Sequence, residues 1–535
     1  MARRTFSAVA GATEPLPLTT RDAVPKPTPA SFATSLIVLI FMAPTWGMRM
    51  PCFILDSEME SFPLAVVSQI FRRLGAGTAA FLLAATSLAA PLQQWTTPFD
   101  GATPLQRGPD LHFSRQPRTG LVIDINPHDA HQHFIGVGAG LTDASAWLIA
   151  QRLSGQARTD LLRELFTAEQ GLGLHLLRVT IGGSDFSQRQ YSLDDTEGNV
   201  PDPTLAHYAE APETLQVRDL LQSIHQLNPD LRIIASPWSA PAWMKSSHSL
   251  IGGYLLPEYH AAFADYLLRF AEGYAAAGVP LYALTIQNEP AYEARDYASM
   301  RFDAEDRARF IAKALGPRLA AQPHPPQLLE WDHNWSMPGS PLAVLAHPDA
   351  ARYIAGIAWH CYGGLPPAQD WVQAVAPSKD VYITECSSGD WQREWPDTFR
   401  SMLGTVLIEG IRHGARGVLL WNLALDEHRG PHSGGCPTCR AVVTLDAQGH
   451  VERHAEYYAL AHIGRFVQPN ALVIGSTSNP SGIRSVAFLN PDGQTLTVVL
   501  QNMSDHALDF AVRVGAQSTA LSLAAGAVTT LVGRP

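Results

Sequence analysis

The sequence predicts an α/β protein made of a (β/α)8 barrel and an antiparallel β-sandwich, and three observations lead to this prediction. From residue 134 onward, eight short apolar runs alternate with longer segments of helical periodicity. A polar or aromatic residue stands at the end of each run, where barrel strands present their catalytic groups on one shared rim. Beyond residue 466 the helical periodicity is replaced by short strand-like runs separated by turn residues.

The barrel is predicted over residues 131–466. Its strands are expected in the eight apolar runs, which are Phe134–Gly138, His175–Ile181, Leu231–Ser236, Leu281–Gln287, Gln327–Trp331, Ile354–Trp359, Val381–Thr384 and Gly417–Trp421. Helical segments such as Pro257–Ala277 and Asp303–Ala320 lie between them. Strands that alternate with helices pair in parallel, and eight such units close into a barrel. A doubly wound sheet is the alternative, but Gly136–Gly140 has only part of the glycine spacing of its phosphate loop.

Residues 467–535 are predicted to form the β-sandwich. The expected strands are Ile483–Leu489, Thr495–Gln501, Leu508–Val514 and Val528–Val532. The residues Asn490–Gly493 are typical of a turn between the first two of these strands. The apolar run Leu121–Ile125 precedes the barrel, so we expect residues 120–130 to contribute a strand to the same sandwich.

The first 90 residues are predicted to be a leader outside the fold. A pair of arginines, the apolar run Gly75–Ala85 and the small residues Ser87–Ala89 follow the order of a secretory signal peptide. We therefore expect export to the periplasm or the extracellular space after cleavage near Ala89. A membrane anchor at Ser35–Ala43 is the alternative, but this apolar run is too short to span a bilayer.

This signal lies unusually far from residue 1, so translation is expected to begin at Met50 or Met59. The aperiodic residues 91–119, which contain proline and glutamine, are interpreted as a linker. The folded part is therefore predicted to begin near residue 120.

Charge and composition limit the classes of partner. The chain has 49 acidic and 38 basic residues, a formal net charge of −11, and no basic run that would attract a phosphate backbone. Nucleic-acid binding is therefore not expected. A neutral partner fits better, and the 12 tryptophans suit the flat apolar faces of sugar rings. The oligomeric state has no signal in the sequence.

Cys436 and Cys439, two of five cysteines, form a CxxC pair in a loop rich in glycine and proline. A zinc site needs a second ligand pair at suitable spacing, and the sequence offers none. In an exported protein we expect a local disulfide between these two cysteines rather than free thiols. No metal or cofactor is predicted.

Two glutamates stand at the ends of predicted barrel strands. Glu289 follows the fourth run and Glu385 the seventh, 385 − 289 = 96 residues apart. Taken singly, Glu289 has the ordinary explanation of a turn or helix-start residue, and Glu385 that of a strand-end ion pair. On one rim they can face each other, and glycosidic cleavage needs such a pair, with one carboxyl protonated and the other ionised. The pair therefore predicts a glycosidase.

Seven segments along the chain carry a family resemblance. They are Gly136–Ala144, Arg178–Ser187, Ala235–Lys245, Thr285–Pro290, Ala358–Tyr362, Tyr382–Cys386 and Trp421–Asp426. In this order they resemble glycoside hydrolase family 30, the glucosylceramidase-like enzymes of a retaining β-glycosidase clan. In that clan the acid/base stands on strand four and the nucleophile on strand seven. The resemblance covers residues 120–475, and the predicted β domain completes it.

The resemblance implies a role for each candidate site residue. Glu289 would be the general acid/base that holds its proton near neutral pH, and Glu385 the nucleophile of a covalent glycosyl-enzyme. Arg178 would favour the ionised form of Glu385. Asn288 would bind the sugar 2-hydroxyl. The other implied substrate contacts are Asp143 and Trp238 at further hydroxyls, Trp421 as the apolar floor, His360 and Tyr362 as residues that orient the carboxylates, and Tyr292.

The leading expectation is a retaining β-glycosidase of the β-glucosidase or glucosylceramidase type, acting on a β-linked oligosaccharide or glycolipid. An endo-acting β-1,6-glucanase or xylanase is the first alternative, and a catalytically silent carbohydrate-binding protein is the second. The loop Glu427–Cys439 departs from the family's glucosylceramidases, and their lipid-handling loops are not evident. Membrane contact is expected only through the leader or a lipid substrate.

Overall fold

The structure is a computed structural model that describes residues 91–116, 120–479 and 482–535. These residues form a closed barrel of eight parallel strands and a mainly antiparallel sheet of nine strands, which confirms the predicted fold class. The predicted signal peptide, its cleavage position and the alternative anchor lie outside the described residues. Within the described ranges, no helix combines the length and the apolar character needed to cross a membrane.

Each of the eight predicted runs overlaps a barrel strand. The strands are Gly136–Gly140, Leu176–Ile181, Arg232–Pro237, Ala283–Thr285, Gln327–Asn334, Ile354–His360, Asp380–Glu385 and Ala415–Asn422. Neighbouring strands pair in parallel, and the barrel closes where Ala415–Asn422 pairs with Gly136–Gly140. The carboxyl ends of all the strands therefore open on one rim.

Helices cover the outside of the barrel. They are Asp143–Arg152, Gly155–Phe166, Pro212–Leu227, His260–Ala276, Ala304–Phe310, Ile311–Leu315, Gly316–Ala320, Gly339–Leu345, Pro348–Ala351, Ala368–Val375, Trp395–Arg400, Ser401–Glu409, Gly410–Arg412 and Ala455–Gly464, with the single turns Glu197–Asn199, Ala242–Met244 and Pro257–Tyr259. In His260–Ala276 the apolar side chains of Phe263, Leu267 and Phe270 are completely buried. Helical periodicity thus places the apolar faces against the strands.

Strand periodicity fills the barrel interior in layers. Fully buried apolar side chains, about one from each strand, form the layer farther from the rim, namely Ile135, Leu176, Ile234, Ala283, Leu329, Ala358, Tyr382 and Leu419. Because side chains alternate along a strand, the residue two positions farther on also points inward. On five strands that residue is polar: Arg178, Ser236, Thr285, His360 and Thr384. The interior therefore changes from apolar to polar towards the carboxyl rim.

The second sheet joins both ends of the described chain. Its strands lie in the order Gln517–Leu523, Leu508–Val514, Leu121–Phe134, Ala471–Ser476, Ile483–Leu489, Leu496–Asn502, Val528–Gly533, Gln93–Thr97 and Gln106–Arg107. The strand Leu121–Phe134 is the expected contribution from before the barrel, and it pairs with Leu508–Val514 and Ala471–Ser476. A third, small sheet contains Ala424–Leu425, Val443–Leu445 and Val451–Arg453.

The strand that precedes the barrel extends past its predicted end at residue 130. Its early residues Ile123 and Ile125 are buried in the core of the nine-stranded sheet. Its last residue, Phe134, is buried in the core that surrounds the barrel. This one strand therefore connects the two hydrophobic cores, and the barrel begins after 134 rather than at 131.

The interpretation of residues 91–119 as a linker is wrong. Gln93–Thr97 is a strand that pairs antiparallel with Val528–Gly533, and Gln106–Arg107 continues the same edge. The buried hydroxyl of Thr97 lies 2.7 Å from Nε2 of His462, on the last helix of the barrel. The strand is short and its partner lies at the far end of the chain, so no local pattern records the pairing.

Candidate active site

Glu289 and Glu385 meet at the carboxyl rim, as their strand positions predicted. Glu385 is the last residue of the seventh barrel strand, and Glu289 follows the fourth, Ala283–Thr285. A carboxylate oxygen of each glutamate and a ring nitrogen of His360 all lie within 4.8 Å of one another. Retaining glycosidases have carboxyl groups about 5–5.5 Å apart, whereas inverting enzymes leave about 6.5–9.5 Å for a water molecule. The spacing in this site suits direct attack by one carboxylate.

A buried carboxylate organises the layer beneath the two glutamates. Asp332 is fully buried. Five side chains on five different strands contact its two oxygens at 2.6–3.0 Å: Arg178, Ser236, Thr285, Thr384 and His360. Burial raises the pKa of Asp332, but Arg178 and His360 outweigh it and hold the pKa well below its usual range. Asp332 therefore stays ionised and fixes these strands in register with one another.

Left-handed backbone conformations bring Asp332 and Glu289 into the site. The φ angles are 79° at Trp331, 53° at Asp332 and 46° at Glu289, which non-glycine residues adopt only at a cost in free energy. The strand pairing shifts register between Trp331 and His333, so Asp332 turns inward. The backbone N–H of Glu289 donates to the carbonyl of Asp332 at 3.0 Å. This hydrogen bond joins the two segments that have left-handed backbone conformations and stabilises both of them.

Arg178 connects the nucleophile candidate to this layer. Its guanidinium donates to Oε2 of Glu385 at 2.6 Å and to Oδ1 of Asn288 at 2.8 Å. The rings of Trp238 and Trp421 stack on each other with their centroids 5.1 Å apart. These centroids lie 4.7 and 5.4 Å, respectively, from the guanidinium carbon of Arg178. In these dry surroundings the cation is held by its carboxylate partners, whose charges raise the pKa of Arg178 despite its burial.

The pKa shifts of the two glutamates reverse the order that the resemblance implied. Burial raises the pKa of Glu385, and Arg178 and His360 only partly oppose this effect. Burial also acts on Glu289, but the hydrogen bond and charge of His360 outweigh it and lower the pKa. Burial by itself lowers the pKa of His360, yet the charge of Glu385 and the hydrogen bonds that the ring makes to Asp332 and Glu289 raise it to about 9. These interactions favour the cationic form of His360 beside Glu289.

The site opens into a cavity of about 430 Å³ between the loops of the rim. Seven of the predicted site residues line it: Trp238, Asn288, Glu289, Tyr292, Tyr362, Glu385 and Trp421. Arg178 and His360 lie beneath its surface and contact the two glutamates. The hydroxyl of Tyr362 donates to Oε1 of Glu385 at 2.8 Å, which agrees with its expected orienting role.

Asp143 does not line this cavity, contrary to expectation. It is the first residue of the helix Asp143–Arg152, and its carboxylate accepts hydrogen bonds from Ser187 at 2.6 Å and Tyr191 at 3.0 Å. Burial raises its pKa to about 6. Its position just after a strand suggested the rim, but the start of the helix turns the side chain towards the loop that contains Ser187.

Several lining residues were not selected from the sequence. They are Asp185, Asp296, Tyr297, His333, Asn334, Trp391 and Gly435. Asp185 is the notable omission, because its Oδ1 is buried and has no hydrogen-bond partner in the described structure. An unpaired carboxylate oxygen on a cavity wall is suited to accept a sugar hydroxyl. Asp185 lies within the motif Arg178–Ser187, which was the available signal.

Two disulfides border the site. Cys436 and Cys439, for which the sequence predicted a disulfide, are bonded to each other and line the cavity. Cys361 and Cys386 form a second disulfide, which was not predicted. They directly follow His360 and Glu385 on neighbouring strands, so this bond joins the chain positions next to two residues of the site.

The family models agree with this architecture. Residues 134–467 match the model described as "Glycosyl hydrolase family 30 TIM-barrel domain", and residues 470–531 match "Glycosyl hydrolase family 30 beta sandwich domain". Together the two matches cover most of the described chain.

Individual relatives carry two different activities in their names. The chain is 33% identical over 413 residues to an endo-1,6-β-D-glucanase of Aspergillus fumigatus, covering 71% of this chain and 81% of the relative. It is 31% identical over 428 residues to a putative glucosylceramidase of Caenorhabditis elegans, covering 76% and 81%. A solved endo-β1,6-glucanase superposes with a TM-score of 0.78 at 29% identity, covering 83% of this chain and 99% of that structure.

Proposed function

The chain belongs to glycoside hydrolase family 30, and from this membership we propose that it is a retaining endo-1,6-β-glucanase. The observation that carries the proposal is the pair of carboxylates on strands four and seven, with oxygens within 4.8 Å of each other beside the buried cation Arg178. That the chain is a glycoside hydrolase follows from the family itself. The linkage and the endo mode are supported by relatives named for that activity.

The first chemical step uses both glutamates. Glu385, oriented by Arg178 and Tyr362, attacks the anomeric carbon, and the bond to the leaving oxygen breaks. The leaving oxygen takes a proton from Glu289. Glu289 receives this proton from His360, because Nδ1 of His360 lies 3.1 Å from Oε1 of Glu289. The product is a covalent glycosyl-enzyme on Glu385.

The second step reverses these roles. Glu289 accepts a proton from a water molecule, and the resulting nucleophile attacks the anomeric carbon and releases Glu385. Two inversions give net retention. Asn288 assists both steps, because Arg178 engages its amide oxygen and leaves the amide nitrogen to donate to a sugar hydroxyl.

The exposure of the rim fits a chain-like substrate. Tyr292, Tyr362 and Trp391 all line the cavity and are 48%, 43% and 56% exposed. In contrast, Trp238 and Trp421 at its inner end are 2% and 3% exposed. A cavity with a closed floor and an open aromatic mouth accommodates one buried sugar ring while the rest of a polymer extends outward.

The deciding experiment is a substrate panel with product analysis. We expect β-1,6-glucan to yield a mixture of gentio-oligosaccharides early in the reaction, because an endo enzyme cuts within the chain. The panel also contains xylan, glucosylceramide and an aryl β-glucoside, with the Glu385→Gln variant as the inactive control. Release of glucose alone from β-1,6-glucan, or xylan cleavage in its place, would contradict the proposal.

Glucosylceramide hydrolysis is the second candidate, favoured by the Caenorhabditis elegans relative. The same panel separates the two, since turnover of glucosylceramide without turnover of glucan selects the lipid substrate. A complete lack of turnover would select the silent carbohydrate-binding protein.

We further propose that the chain is exported, because the segment Gly75–Ala89 has the order of a signal peptide and a polymeric glucan cannot enter a cell. Expression of the full chain in a secreting host tests this. Mature protein in the secreted fraction, with an N-terminus near residue 90, is the expected result. Retention of the whole chain inside the cell would contradict export.

A further inference from the structure

Trp391 is an exposed tryptophan at the mouth of the catalytic cavity. Its side chain lines the cavity, yet Trp391 is 56% exposed. It lies on the loop of residues 386–394, here called the nucleophile loop, which begins directly after Glu385. A large apolar ring left open to water beside a substrate cavity is characteristic of a binding surface. Such a surface is effective when the loop that carries the ring is itself held in place.

A second loop fixes the nucleophile loop from outside. The residues 427–439, here called the disulfide loop, follow the eighth strand and contain the Cys436–Cys439 bond. The N–H of Asp390 donates to the carbonyl of Thr438 at 3.2 Å, and Gly389 pairs with Cys439 as an isolated antiparallel bridge. The backbone that immediately precedes Trp391 is therefore attached to a cross-linked turn.

Charged side chains reinforce this attachment. Asp390 lies 2.7 Å from a guanidinium nitrogen of Arg429 and 3.8 Å from one of Arg440. Arg429 also donates to the carbonyl of Thr438 at 3.0 Å, and Arg440 donates to the carbonyl of Gln392 at 2.9 Å. The residues on either side of Trp391 thus have fixed partners, which limits the conformational entropy that the ring loses when it binds a ligand.

The ring also rests on a glycine. A Cβ built at Gly389 would lie 2.3 Å from the nearest ring atom of Trp391, which is closer than any real Cβ contact. Only glycine therefore permits this packing. The six-membered ring of the indole therefore packs against the backbone of Gly389, and the side chain lines the cavity.

The disulfide loop reaches the opposite wall of the cavity as well. The N–H of Gly435 donates to Oδ2 of Asp296 at 3.3 Å, and the N–H of Ser433 donates to the carbonyl of Asp185 at 2.7 Å. Asp296 belongs to the loop that follows Glu289 and carries Tyr292. The disulfide loop therefore contacts both the nucleophile loop and the loop that carries Tyr292, and it fixes the distance between them.

We propose that Trp391 is a stacking platform for a second glucosyl residue of the substrate, next to the residue whose bond is cleaved. This rests on the proposed endo-glucanase function. The sugar whose glycosidic bond is cleaved lies at the inner end of the cavity, beside Trp238 and Trp421, and the polymer that continues from it through the mouth passes the exposed ring of Trp391. The apolar C–H face of a pyranose packs on an aromatic ring.

Trp391 is consequently a specificity-determining residue, because a substrate with one sugar cannot use it. An aryl β-glucoside places its only sugar at the two glutamates, whereas a gentio-oligosaccharide also covers the platform. The disulfide loop acts through Trp391 and is a positioning element.

The test measures kcat/KM on gentiotriose or a longer gentio-oligosaccharide and on an aryl β-glucoside. In Trp391→Ala we expect the ratio of the first to the second to fall about tenfold or more, since an aromatic stacking contact is lost. Trp391→Phe keeps an aromatic face and should retain most of the ratio. Trp371→Ala is the matched control, because Trp371 is 65% exposed on the helix Ala368–Val375 and does not line the cavity.

Two further variants test the support of the ring. Gly389→Ala displaces the indole, and the double substitution Cys436→Ser/Cys439→Ser opens the disulfide loop. Each should lower the ratio of kcat/KM on the gentio-oligosaccharide to kcat/KM on the aryl β-glucoside. Circular dichroism and the aryl-glucoside assay report whether each variant is folded.

The outcomes separate this proposal from the one on which it rests. If the wild type cleaves gentio-oligosaccharides and Trp391→Ala keeps the wild-type ratio, the platform is overturned and the endo-glucanase stands. If the wild type cleaves the aryl glucoside but none of the oligosaccharides, both are overturned. A loss of ratio equal in Trp371→Ala and Trp391→Ala would also overturn the platform.

Discussion

Nδ1 of the buried His360 ring lies 3.1 Å from Oε1 of Glu289. The other ring nitrogen lies 3.0 Å from Oδ1 of Asp332. Both neighbours are carboxylates, and the charge of Glu385 adds to theirs, so the imidazolium form is stabilised and the pKa of His360 rises to about 9. Glu289 therefore lies beside a histidine whose cationic form is favoured and whose orientation Asp332 fixes.

Glu385 is expected to be the nucleophile. Glu385→Gln should reduce turnover of an aryl β-glucoside by roughly four orders of magnitude or more, because the covalent step loses its attacking group. A 2-fluoro-glucoside inactivator should label the wild type on the peptide that contains Glu385, as read by mass spectrometry. The exposed Glu272→Gln is the control and should keep full turnover. A label on another carboxylate would reject this assignment.

Glu289 is expected to be the acid/base. In Glu289→Ala, an activated aryl glucoside still forms the glycosyl-enzyme, but its hydrolysis lacks a base. Added azide should then restore turnover and give a β-glucosyl azide with retained configuration, since two displacements occur. Nuclear magnetic resonance of the product identifies the anomer. An α-azide would exchange the roles of the two glutamates.

The charge of His360 is expected to set the pH profile. The charge of His360 lowers the pKa of both Glu289 and Glu385. His360→Gln should therefore raise the pKa of the first carboxyl of the pair to ionise. The acidic limb of kcat/KM then moves to higher pH by about one unit, which corresponds to an interaction of about 1.4 kcal/mol.

His333 provides the control for this shift. It lies 3.8 Å from Glu289 and its charge also lowers the pKa of that carboxyl, but burial lowers the pKa of His333 itself to about 4, so it is charged only at the acid end of the profile. His333→Gln should therefore shift the acidic limb much less than His360→Gln does. Equal shifts in His360→Gln and His333→Gln would show that geometry, rather than charge, controls the limb.

The disulfide Cys361–Cys386 is expected to position the site. It joins the residues directly after His360 and Glu385, so its removal loosens two strands at the point where the carboxylates are held. Cys361→Ser/Cys386→Ser should lower kcat by about tenfold with little change in KM, because misplacement of a nucleophile acts on the chemical step. Steady-state kinetics of the purified variant, with thermal unfolding to confirm the fold, check this. An unchanged kcat would assign the bond to stability alone.

His462 is expected to limit stability in acid. It is buried between Thr97 and Thr530, with ring nitrogens 2.7 and 2.8 Å from their hydroxyls, and burial lowers its pKa from 6.5 to about 3. The folded state therefore binds fewer protons than the unfolded state between these pH values. Its stabilising contribution is complete above pH 6.5 and is lost as the pH falls, at a cost on the order of 1 kcal/mol per pH unit.

Thermal unfolding between pH 7 and pH 4 measures this effect. His462→Gln cannot become charged, so its melting temperature should fall less over this range than that of the wild type, even if it is lower at pH 7. His450→Gln is the control, because the side chain of His450 is 80% exposed. Parallel pH curves for the wild type and His462→Gln would remove His462 as the cause.

Local patterns were sufficient for the barrel and for its two glutamates. The periodicity of a strand or helix is visible in consecutive residues of the sequence. In a barrel, the residues that follow the strands all lie at the same rim. The same reasoning expected Asp143 at the substrate, whereas its buried carboxylate is hydrogen-bonded to Ser187 and Tyr191 and does not line the cavity. It also missed Asp185 and Trp391, which lie on loops whose course is set by partners elsewhere in the chain.

The order of the segments along the chain thus determined that a barrel forms and which carboxylates meet at its mouth. Only the folded structure decided that Asp332 is the common partner of five strands, that His360 lies between Asp332 and Glu289, and that Gln93–Thr97 pairs into the second sheet. Periodicity is a property of neighbouring residues, whereas burial, charge and hydrogen bonding depend on groups that are distant in the chain and close in space. A pKa or a long-range strand pair therefore has no local pattern from which to predict it.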